Sequence, residues 1–99
     1  MAEYESEALG VKFTLPDKLT VFQQLAWRGR TAVGEGGVFI RMWNGAVELI
    51  QDWECELIPD PKKLDMNAEE DGAITDIVQF VANSTASHIT ALGLVPKNA

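Results

Sequence analysis

The chain has 99 residues, enough for one domain that buries roughly 60–65% of the surface it exposes unfolded. Fifteen acids against eight Lys and Arg leave a net charge of −7, which repels a phosphate backbone and argues against nucleic-acid binding. Cys55 stands alone, so an intrachain disulfide and a cysteine metal cluster are excluded, in keeping with a reducing cytosol.

No apolar run approaches the roughly 20 residues that span a bilayer, so no membrane segment is expected. The start MAEYESEALG is acidic rather than positively charged and does not read as a secretory signal. Residues 1–8, in which Glu3, Glu5 and Glu7 alternate with small or aromatic side chains, read as a flexible acidic arm.

Val11, Phe13 and Leu15 alternate with Lys12 and Thr14 up to Pro16, which predicts a short strand. Thr20 and Gln23 have capping-box spacing, so a helix should start there. Val21, Phe22, Leu25 and Ala26 form its apolar side beside Trp27, Arg28 and Arg30 complement its C-terminal pole, and Gly29 weakens its last turn.

After the GEGG break at 34–37, Phe39, Met42, Trp43, Ala46, Val47 and Ile50 recur at helical spacing. The period then changes. Trp53, Cys55 and Leu57 alternate with Glu54 and Glu56 until Pro59 and Pro61, predicting a second strand that pairs with the first.

A polar linker follows, and within it Asn67 and Glu70 have helix-start spacing. The third helix carries Ile77, Val78, Val81, Ala82, Ile89 and Leu92 on one face until Gly93 and Pro96. At 1.5 Å per residue, about 20–25 residues would reach roughly 30–37 Å, with a bend expected near Asn83–Ser84. The expectation is an α-rich α+β fold: three helices on a two-stranded antiparallel ribbon of about residues 9–15 and 52–58. The domain should span 9–95, with 96–99 as a C-terminal tail.

Chemical motifs are sparse. His88 lacks a nucleophile elbow or a cysteine signature to serve, and reads as a packed imidazole. Asn83–Ser84–Thr85 matches a glycosylation acceptor that no secretory signal exposes to its enzyme. Asp65, Asn67 and Glu69 begin a calcium-loop pattern, but Glu70 and Asp76 stand where the turn glycine and bidentate glutamate belong. Gly34, Gly36 and Gly37 lack phosphate-loop spacing. A non-enzyme that needs no cofactor or metal is therefore expected.

Apolar surface remains as the candidate functional feature. Trp27, Trp43 and Trp53 serve as core or as binding anchors. Phe80 lies off the main stripe of the third helix, on a flank with Ser84, Ser87 and Ala91, where small residues beside an aromatic permit close approach of another chain, or where Phe80 covers the strand pair.

At FTLPDKLTVFQQLAWRGR, DWECELIPDP and HITALGLVPKN, the sequence resembles the tail assembly chaperones of long-tailed bacteriophages across roughly residues 11–98. The resemblance implies a non-enzymatic factor of the host bacterial cytoplasm that is absent from the mature virion. It implies binding to the hydrophobic tape measure protein, keeping it soluble, and recruitment of tail tube protein around it. Phe80, Trp43, Phe39 and Phe22, with Ser84 and Ser87, are the candidate partner contacts, and self-association is expected of an unoccupied apolar face. Two rivals belong to other classes: a small acidic inhibitor that mimics nucleic acid toward a basic host protein, and a structural head–tail protein of the virion.

Overall fold

The computed structural model describes residues 1–32 and 36–94. Gly34 and Glu35 of the expected break, Pro96, and the tail at 96–99 lie outside the described residues. Three strands and three helices form an α+β fold: β1 (Ala2–Ser6), β2 (Val11–Leu15), α1 (Val21–Ala32), α2 (Val38–Ala46), β3 (Trp53–Cys55) and α3 (Ala73–Ala91), with a 3-10 turn at Pro61–Lys63. The sheet is antiparallel in the order β1-β2-β3.

The ribbon expected from two strands thus gains a third. Residues 2–6 form an edge strand rather than a free arm, pairing from Ala2 with Leu15 to Ser6 with Val11. Alternation settles which way each side chain points. Tyr4, Phe13 and Trp53 fall in one cross-strand row, and Glu5, Lys12 and Glu54 in the next. The aromatic row packs inward, with ring centroids 5.5 Å apart for Tyr4–Phe13 and 6.1 Å for Phe13–Trp53.

The core is built around Phe13, Leu15, Trp43, Leu49, Ile58, Ile77, Val81 and Ile89, all buried. Trp43 meets Trp53 edge to face at 6.0 Å, which joins α2 to the sheet. β3 ends earlier than the expected residue 58, because the chain turns after Cys55. Leu57 is left exposed while Ile58 enters the core, and the Ile58 carbonyl accepts the Trp53 indole N–H at 2.6 Å.

Thr20 and Gln23 close the capping box reciprocally: the Thr20 N–H donates to Gln23 Oε1 at 2.9 Å and the Gln23 N–H to Thr20 Oγ1 at 3.0 Å. The other expected start is displaced. Asn67 instead donates its N–H to Asp65 Oδ1 in a local turn. α3 begins at Ala73 behind Gly72, whose φ of 102° suits only glycine, and the Ala73 N–H donates to Asp71 Oδ1. α3 then runs without interruption through Asn83–Ser84. α2 is shorter than expected, ending at Ala46 before a turn that buries Leu49.

Thr85 is completely buried on α3, and its hydroxyl has no hydrogen-bond partner. An unsatisfied buried hydroxyl costs free energy that a methyl of the same shape does not. Thr85→Val should therefore stabilise the domain by about 1 kcal/mol, raising Tm by roughly 4–8 °C in a thermal melt.

Candidate functional site

Three of the four residues on the apolar side of α1, Val21, Phe22 and Leu25, face outward. The helix contributes no buried residue, and Val21, Phe22 and Leu25 expose 73%, 78% and 61% of their surface. The half-buried residues are Gln23, Gln24, Ala26, Trp27 and Thr31. Trp27 lies on Gly45 of α2 so closely that a Cβ built there would sit 2.6 Å from its Cε3. That fit decides which side of α1 faces inward. Ion pairing of Arg30 with Glu48 at 3.1 Å, and donation from Arg28 to the Leu94 carbonyl at 3.2 Å, tie down its far end.

The sequence-derived contact residues do not form one patch. Phe22 stands out from α1 and Phe39 is partly exposed at the start of α2. Trp43, expected as a contact, is only 2% exposed; it packs edge to face on Trp53 within the core. Phe80 is half-buried and meets Phe13 edge to face at 6.2 Å, so it covers the sheet instead of projecting. Ser84 beside it is half-buried and Ser87 exposed. Val21 and Leu25, placed by the sequence on the apolar side of α1 with Phe22, are surface residues not named among the candidate contacts; the periodicity marked the stripe but not what it faces.

Phe39 also borders a groove of about 310 Å³ between the start of α2, residues 64–70 and the first two turns of α3, floored by Ile40, Ile74 and Val78. On the outer face of the sheet, Lys12 sits between Glu5 and Glu54 and lies 3.7 Å from Glu3. Among the described residues, no group of three or more His, Cys, Asp and Glu side chains is placed to hold a metal ion. No described helix is long and apolar enough to cross a membrane.

His88 is 6% exposed and clasps two distant segments. Its Nε2 lies 2.7 Å from the Pro16 carbonyl and its Nδ1 2.8 Å from the Tyr4 hydroxyl. A carbonyl only accepts, so the ring proton sits on Nε2 and Nδ1 accepts from Tyr4. Burial, with a smaller contribution from the Asp17 carboxylate, raises the Tyr4 pKa above its ordinary value of 10.0. Asp17 is exposed and its pKa is lowered, chiefly by its hydrogen bond from the Met1 amino group.

With both ring nitrogens engaged, His88 fastens β1 and the end of β2 to α3. Tyr4→Phe should leave Nδ1 buried and unpaired, at a cost of about 1–3 kcal/mol. A lower urea midpoint with an unchanged slope would register it. Scanned against family models, curated proteins and solved structures, the chain matches none.

Proposed function

We propose that this protein is a bacteriophage tail assembly chaperone that binds the tape measure protein, keeps it soluble and helps recruit tail tube protein. The observation that carries the reading is the outward apolar face of α1, where Val21, Phe22 and Leu25 stand in water. Exposed neighbouring apolar side chains mark a binding surface, and the sequence resemblance supplies the client. A net charge of −7 would help keep such a complex dispersed. The setting is the host bacterial cytoplasm, with the chaperone leaving before the virion matures and self-associating when no client is bound.

Co-expression with the tape measure protein tests this. The tape measure protein should remain in the soluble fraction only when the chain is present, and Leu25→Glu should abolish that protection while leaving the Tm nearly unchanged. Solubility of the tape measure protein without the chain would overturn the reading, as would recovery of the chain from purified particles.

The sheet gives the acidic-inhibitor reading one specific support. Folding brings the glutamates of the N-terminal segment and those of residues 52–56 together, with Glu5, Lys12 and Glu54 in one row. Binding to a basic host enzyme that weakens steeply with salt would favour it.

A further inference from the structure

From the geometry of α1 we infer that its outward face receives a single amphipathic helix of another protein, with acidic residues flanking that helix's apolar seam. This deepens the chaperone reading and rests on it, naming the chemistry of the client segment.

The shape argument comes first. Phe22, Leu25, Gly29 and Ala32 are separated by three, four and three residues, the a/d spacing of a helix that packs lengthwise on another. Phe22, Leu25, Gly29 and Ala32 are all exposed, so the seam points away from the domain. Its first half is bulky and its second half small, which admits a partner with the opposite taper.

Gly29 is the sharpest sign. Glycine inside a helix is unfavourable relative to alanine, yet a Cβ built at Gly29 meets nothing within 4 Å. Among the described residues nothing is close enough to require a glycine there, and the missing side chain leaves room for an incoming one.

Charge then selects the partner. Residues 18–32 contain Lys18, Arg28 and Arg30 and no acid in a chain of net charge −7; Arg30 is paired with Glu48, which leaves Lys18 and Arg28, the latter also donating to the Leu94 carbonyl, as the cations nearest the seam. Arg28 lies seven residues after Val21, along one flank of the seam, and Lys18 precedes the helix. Acidic flanks on the incoming helix would meet these cations. A second copy of α1 fits less well, because an antiparallel pair matching Leu25 to Gly29 of the other copy brings the two Arg28 side chains to the same flank. An anionic lipid surface would be repelled by the rest of the molecule.

The test uses the full chain and two monomeric three-heptad helical peptides with Leu and Ala at a and d. One carries Glu at e and g, the other Lys. Fluorescence anisotropy should show the Glu peptide binding at least tenfold more tightly at low salt, with the gap narrowing as salt rises. Leu25→Glu and Gly29→Leu should each weaken it at least tenfold without loss of helical circular dichroism, whereas Leu57→Glu, on exposed surface outside α1, should not.

Equal or stronger binding of the Lys peptide, no binding of either, or an unaffected Gly29→Leu variant would overturn the assignment. So would sedimentation showing that a second copy stays on the face when the Glu peptide is in excess, or displacement of the peptide by phosphatidylserine vesicles. If the peptides fail while the chain still keeps the tape measure protein soluble, this surface assignment falls and the chaperone reading stands. If the Glu peptide binds as expected but the tape measure protein needs no help, the chaperone reading falls instead.

Discussion

Phe13→Ala is expected to cost about 3–5 kcal/mol, the range for emptying a buried phenylalanine site. Phe13 is 1% exposed, and its ring contacts Tyr4 on β1, Trp53 on β3 and Phe80 on α3. These contacts come from three separate elements, so little local collapse can refill the space. A domain of this size has about 5–15 kcal/mol of stability, so the variant should lose a large share of it and unfold at a much lower urea concentration. Urea melts provide the comparison. Phe22→Ala, removing the same ring from an exposed position, should fall within about 0.5 kcal/mol of the parent. Equal losses for the two would mean that the core had been wrongly located.

Gly45→Ala should destabilise by about 1–3 kcal/mol through overpacking, although alanine is favoured over glycine in a helix by about 1 kcal/mol. The added Cβ would lie 2.6 and 2.9 Å from Trp27 Cε3 and Cζ3, and 3.2 Å from Thr31 Cγ2. An indole is rigid, so it cannot bend away at its tip; α1 as a whole must lift. The change therefore separates α1 from α2 without touching the sheet. In a Trp27→Leu background the clash disappears, and Gly45→Ala should become neutral or slightly stabilising. A double-mutant cycle reads this as strong non-additivity; additive losses would mean that the ring does not set the helix contact.

Local signals survived into the structure where chemistry over a few residues decides the outcome. Thr20 and Gln23 complete a reciprocal cap, and the alternation of Val11, Phe13 and Leu15 produces an inward strand face. β1 was not legible because its inward residues, Ala2, Tyr4 and Ser6, carry little apolar signal. Its stability comes from stacking on Phe13 and from a hydrogen bond to His88, 84 residues away.

The candidate surface was legible only in part. Helical spacing identifies a stripe on α1, but the close fit of Trp27 over Gly45 determines that Val21, Phe22 and Leu25 face water. Whether Trp43 and Phe80 face inward was not legible for a related reason. Each finds an aromatic partner on the sheet, and no local pattern encodes those distant meetings.

Because α1 places no side chain fully inside the domain, its outward positions are insulated from the stability of the fold. Substitutions along that stripe can retune which polypeptide is recognised while the scaffold beneath keeps its melting behaviour. The molecule thereby separates two evolutionary pressures: drift in a partner's sequence can be tracked by one helix, and the sheet and α3 need not change in step.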